Sequence, residues 1–159
     1  MFRELTRKNK ELPMEECIRI LTEEKRGVLS VNGDGGYPYG MPMNHFYNEA
    51  DKKIYFHCGN EDGHRLDALK RDGRVCFCVY NGGEYRDGHW ALHVKSVVVF
   101  GKMEIVSDPE RIVDIAGKLS RKFTEDENYI QKEIEGHMHR TLLLVLTPEH
   151  IRGKHVAEA

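Results

Sequence analysis

The segment from Ile54 to Arg65 gathers the side chains of this sequence best placed to hold charge or move protons. His57 and Cys58 close an alternating apolar run, and His64 and Arg65 open a short run with Leu66 and Leu69 at helical spacing. A helix N-terminus carries partial positive charge and spare N–H donors, so two cations there are unfavourable unless an anion joins them. Phosphate is an anion that both the N–H groups and a guanidinium hold well. Lys95 and Ser96, followed by Val97 on a later strand, offer a further cation and a hydroxyl. His57 stands where it can hydrogen-bond a ligand or supply a proton; the competing reading is a histidine satisfied within the wall of the fold.

The stretch Tyr37-Pro38-Tyr39-Gly40-Met41-Pro42-Met43-Asn44 divides its labour by face. Tyr37, Tyr39, Met41 and Met43 form a bulky face expected to be buried, while Pro38, Gly40, Pro42 and Asn44 form a small, flat one. Prolines lack an N–H for the ladder, so this strand belongs at an edge or beside a bulge. A planar heterocycle fits such a surface; protection of an edge from aggregation is the alternative. A planar ring joined to a phosphate describes flavin mononucleotide (FMN) or something close to it.

Other candidates carry less. His45 and His93 fit strand positions facing solvent or a partner subunit, and Trp90 lies in a glycine-flanked loop as an interface or capping residue. Cys76 and Cys78 share one strand face as free thiols, and the pair His137 and His139 lacks further ligands at a recognisable spacing, so no metal is expected. Arg7, Lys8 and Lys10 read as a solvated face, and Arg152-Gly153-Lys154 as a solvated tail, with reach into a partner chain's site as the alternative.

The elements that must position these residues follow from periodicity and punctuation. A helix starts near Pro13, with Cys17, Ile18 and Leu21 on its apolar face, and is expected to end at Gly27. Strands follow at Val28 to Val31, Tyr37 to Tyr47 and Lys52 to Cys58, the first two joined by a glycine-rich turn. A short helix after Asp62 leads to a strand over Arg74 to Tyr80, then a long one over His93 to Val106. Ser107-Asp108-Pro109-Glu110 starts a second long helix. The segment 126–139 has no clear period, and Thr141 to Leu146 forms a last core strand before Pro148. Hairpin order predicts an α+β protein built on a six-stranded antiparallel split β-barrel with flanking helices, a single domain over 1–159.

The 159 residues are 40% hydrophobic and 31% charged with a net charge of -2, which offers nucleic acid no basic field. No apolar run reaches membrane-spanning length, and the charged N-terminus lacks a signal core, so a cytoplasmic protein is expected.

In order along the chain, Gly27-Val28-Leu29-Ser30, Tyr37-Pro38-Tyr39-Gly40-Met41-Pro42, Ile54-Tyr55-Phe56-His57-Cys58, Gly63-His64-Arg65-Leu66-Asp67-Ala68-Leu69 and Ser96-Val97-Val98-Val99-Phe100-Gly101 form a series. With the early basic stretch Arg7-Lys8-Asn9-Lys10, it resembles the pyridoxamine 5′-phosphate oxidase-like, FMN-binding split-barrel proteins, in particular their nitroimidazole-resistance branch. The resemblance implies a homodimer with two FMN sites at the subunit interface. It also implies that Pro42, Met43, Asn44, His57, Cys58 and Gly59 line the flavin. A basic residue at His64 or Arg65 would hold the phosphate, helped from Ser96. The activity it implies is reduction of a small organic acceptor with electrons from a reduced nicotinamide. No GxGxxG is present, so the nicotinamide would bind only transiently. A flavin carrier or sensor without turnover, and a split barrel holding haem or a deazaflavin, are the alternatives.

Overall fold

The computed structural model describes residues 1–158. Helix α1 (Met14–Glu23) buries Cys17, Ile20 and Leu21, one face at i, i+3, i+4 spacing. It stops at Glu23, with Glu24 already extended, so Gly27 is not its terminator. Gly27 lies instead in β1 (Arg26–Asn32), where a Cβ would come within 2.6 Å of the Cys78 carbonyl oxygen and the Phe77 ring. Its role is close packing. A 3-10 turn at Asp34–Gly36, with Gly35 and Gly36 at φ of 63° and 80°, leads into β2 (Pro38–Asn44).

After β3 (Phe46–Asn48) come β4 (Lys53–Gly59), α2 (His64–Arg71), β5 (Arg74–Tyr80) and β6 (Leu92–Val106). Helices α3 (Pro109–Ser120) and α4 (Glu127–His137) then precede β7 (Thr141–Glu158). All pairings are antiparallel, in the order β2-β1-β5-β6-β7-β4-β3. The outermost members, β2 and β3, are two halves of one segment separated by His45 alone. The sheet therefore curls until its edges meet at that residue, which makes a split barrel of six strands whose second strand bends and is counted twice.

His45 is the seam and is fully buried, contrary to the expected outward position. Its Nε2 lies 2.8 Å from the Leu21 carbonyl oxygen, and its ring packs edge-on to Phe77 at 5.0 Å. Burial, and secondarily the Lys122 cation, hold its pKa down at about 3, so the imidazole is neutral.

The barrel core is built from Leu29, Phe56, Phe77, Val97, Val99 and Leu146, among others, all fully buried. A second cluster, Tyr55, Ile112, Ile115, Leu143 and Val145, lies between α3 and the outer face of β4 and β7. Strand residues beneath α3 are therefore buried on both faces, which is why Leu143 to Leu146 reads as a continuous apolar run. Met41 and Met43 are buried as expected, whereas Tyr37 and Tyr39, at the start of the strand, are 78% and 36% exposed.

Two expectations fail near the C-terminus. The last strand does not end before Pro148, and Arg152-Gly153-Lys154 is not a tail. A register shift at Phe100/Gly101 absorbs the proline, and pairing with β6 continues to Glu158. Arg152 is ion-paired with Glu11, and a Cβ on buried Gly153 would meet Cys17 Sγ at 2.6 Å. No helix among the described residues is long and apolar enough to cross a membrane.

Candidate functional site

His57 and Tyr55 lie on the same outward face of β4. Helix α3 packs on Tyr55 through Ile112 and Ile115, and beyond it a cleft of about 810 Å³ opens where His57 points out. The barrel wall of this cleft is Asn44, His57, Cys58, Gly59 and Arg65. The helical wall is apolar: Ile112, Ala116 and Leu119 from α3, Phe123 and Tyr129 beyond it, and Ile134 and Met138. Asn60, Glu61, Asp62, Glu133, His137 and Arg140 form a polar rim.

Arg65 is the cation on the barrel side of the site. It lies in the first turn of α2, and its Nη1 meets Met43 Sδ at 3.9 Å. Its Nε is buried without an acceptor, and among the described residues the guanidinium joins no carboxylate. The helix start is also uncapped: Gly63 is the N-cap, and Asp62 is drawn away to Lys70 at 2.8 Å. First-turn N–H groups and an unpaired guanidinium thus share one end of the cleft. That arrangement fits a phosphate.

His64 turns the other way. Its Nε2 accepts from the Asp34 N–H at 3.2 Å, and its ring stacks on Tyr39 at 4.2 Å. Loss of hydration, then the Arg65 cation, hold His57 below its ordinary pKa of 6.5, so it is neutral at pH 7. Burial raises the Cys58 thiol, with Arg65 opposing in part, so this cysteine is a protonated wall residue and not a thiolate. Asn44 accepts through Oδ1 from Arg26 Nε at 2.9 Å, which leaves its amide N–H₂ as a donor.

Of the residues expected at a site, the fold brings Asn44, His57, Cys58, Gly59 and Arg65 together, with Met43 behind Arg65. The others lie outside this cleft. Pro42 is exposed on the outer sheet face, and Lys95 is held by Glu16 at 2.6 Å. Ser96 is half-buried in β6 opposite Tyr80, and Val97 is fully buried in the core. His93 bonds His155 at 3.1 Å on the far side of β6, and Trp90 is 77% exposed. Among the described residues no three His, Cys, Asp or Glu side chains converge as metal ligands.

The helical wall and the Glu133-His137-Arg140 rim were not expected. Arg140 Nη2 donates to His137 Nδ1 at 3.2 Å, and His137 Nε2 lies 3.6 Å from Glu133 Oε2. The available signal was Asp126, whose carboxylate accepts from the Tyr129 N–H at 3.0 Å as an N-cap, with Ile130 and Ile134 following at i, i+4.

A family model described as pyridoxamine 5′-phosphate oxidase matches residues 13–155. No curated protein matches the chain. Solved structures share the fold. A candidate 5-nitroimidazole antibiotic resistance protein from Bacteroides thetaiotaomicron superposes with a TM-score of 0.76 at 20% identity, covering 91% of this chain and 86% of that one. A conserved hypothetical protein from Mycobacterium tuberculosis gives 0.79 at 18% identity, covering 95% and 89%. A FAD-binding protein from Mesorhizobium loti gives 0.63 at 25% identity, covering 94% and 97%.

Proposed function

The chain belongs to the pyridoxamine 5′-phosphate oxidase family, and from that premise we propose that it is an FMN-dependent oxidoreductase that passes electrons from a reduced nicotinamide to a small organic acceptor, nitroimidazole-like in chemistry. The observation that carries this reading is Arg65: a guanidinium without a carboxylate, its Nε buried and unpartnered, at an uncapped helix start beside His57. In this role Arg65 and the first-turn N–H groups of α2 hold the cofactor phosphate. Asn44 and His57 offer hydrogen bonds to the ring or to the acceptor, and neutral His57 has one ring nitrogen to donate from and one to accept with. The apolar helical wall keeps water from the reacting groups. The bound flavin supplies the electron-transfer chemistry.

The same reading has the protein acting in the cytoplasm as a homodimer. Its support is a cross-strand row on the outer sheet face, Pro42, Val28, Cys78, Val98 and Arg152, flanked by Phe100 and Tyr80. Val28, Phe100 and Tyr80 are 37%, 39% and 58% exposed, a poor surface to leave in water. Pro42 and Ser96, remote from their own cleft, then lie where a second copy covers them.

Substituting Arg65→Ala is expected to weaken FMN binding by about 2 kcal/mol, roughly thirtyfold in Kd, as for a lost charge-assisted bond. A fluorescence titration with FMN and FAD on both proteins reads this. Unchanged affinity in the variant would remove Arg65 from the site, and tight binding of FAD alone would overturn FMN as the cofactor.

A further inference from the structure

We propose that Lys122 is a positioning residue for the cleft: by donating to the carbonyl oxygens of Glu24 and His45, its ammonium fixes the spacing between the barrel wall and the helical wall, and so sets flavin affinity. The inference rests on the flavin-binding reading. Lys122 Nζ lies 2.7 Å from Glu24 O and 2.9 Å from His45 O, joining the end of α3 to the end of α1 and to the barrel seam. Its neighbours Phe123 and Thr124 line the helical wall, and Asn44, next to His45, lines the barrel wall. One side chain therefore spans the two walls at this end. At the other end they are joined through the Asn60 N–H, which donates to Arg140 O at 2.9 Å, and through the pairing of Gly59 with Thr141.

The chemistry of Lys122 is that of a device for geometry. Both its acceptors are backbone carbonyls, and among the described residues no carboxylate bonds to it. Burial dominates and lowers its pKa to about 8; the Glu24 charge opposes this and the Lys25 charge adds to it. Lys25 itself sits 5.5 Å above the Phe123 ring, and His45 is neutral. A cation held in a partly dehydrated place, bonded only to two carbonyls, contributes modestly to overall stability, because its lost hydration offsets much of what the two bonds supply. A merely structural lysine would show itself in the melting temperature. A positioning one shows itself in the ligand.

The test compares wild type, Lys122→Met and Lys122→Arg by FMN dissociation constant, melting temperature without flavin, and amide hydrogen exchange over residues 119–124. In Lys122→Met we expect an FMN Kd raised about tenfold or more, the scale of losing an indirect supporting contact. Its melting temperature is expected to fall only slightly, for two carbonyls left without a donor, out of proportion to the affinity lost, and exchange over 119–124 to be faster. Lys122→Arg, which keeps a cationic donor, is expected to recover most of the affinity. A Met variant that binds FMN as wild type does, or that fails to fold or melts lower in step with its lost affinity, would overturn the inference. Failure of wild type to bind FMN would instead sink the flavin reading. Exchange over 119–124 would then decide alone whether Lys122 fastens the helical wall, unchanged rates counting against it.

Discussion

Two basic side chains adjacent in sequence take opposite roles. His64 stacks on Tyr39 and accepts from the Asp34 N–H, fastening α2 to the turn after β1, while Arg65 is left in the cleft without a counter-charge. Sequence spacing placed both at a helix start but not which way each turns, because that depends on a turn some thirty residues earlier. Arg65 also acts on His57. The folded-state pKa of His57 is below 6.5, lowered first by lost hydration and then by the Arg65 cation. Between the folded pKa and 6.5 the unfolded chain therefore binds more protons than the folded one. The His57 contribution to stability rises with pH through that window, is complete above it and is lost on acidification. A proton NMR titration should give His57 a midpoint below 6.5, moving up but not reaching 6.5 in Arg65→Ala. A midpoint at or above 6.5 in wild type would contradict this environment.

At the scale of elements, what could be read in the sequence was what a local rule governs. Asp108 caps α3 by accepting from the Arg111 N–H at 2.9 Å, and β5 occupies Arg74–Tyr80 because its alternation is uninterrupted. What could not be read depends on distant packing. Gly27 looked like a helix terminator but is a strand residue crowded by Phe77 and Cys78. His45 looked solvent-facing because no local pattern marks the point where a barrel's edges meet. Pro148 looked like a stop because the register shift that admits it, with Glu149 as the extra residue between the Gly101–Pro148 and Phe100–His150 pairs, shows only once β7 is paired with β6. At Gly101 a Cβ would come 2.2 Å from the Thr147 carbonyl oxygen and 2.8 Å from the Leu146 side chain. Gly101→Ala is expected to cost about 3 kcal/mol or more through forced separation of β6 and β7. Urea unfolding checks this, and a variant within about 0.5 kcal/mol of wild type would show that the two strands part there easily.

For the whole molecule, the barrel leaves two features that a single chain does not explain: a half-exposed apolar sheet face, and a cleft in which the Arg65 guanidinium, joined to no carboxylate among the described residues, faces an apolar helical layer. In the proposed reading a second copy covers the first and a flavin occupies the second. The sequence made the barrel half of the cleft legible through His57, Cys58, Gly59 and Arg65. The helical half stayed hidden because α4, mostly exposed, buries only Ile130 and so carries little periodicity. The most direct measurement is size-exclusion chromatography with light scattering and a visible absorption spectrum, on protein loaded with FMN and freed of excess. We expect a single peak at the mass of two chains, each 18.4 kDa, carrying a protein-shifted flavin band at one FMN per chain. A peak without a flavin band would contradict the central claim, whatever its mass.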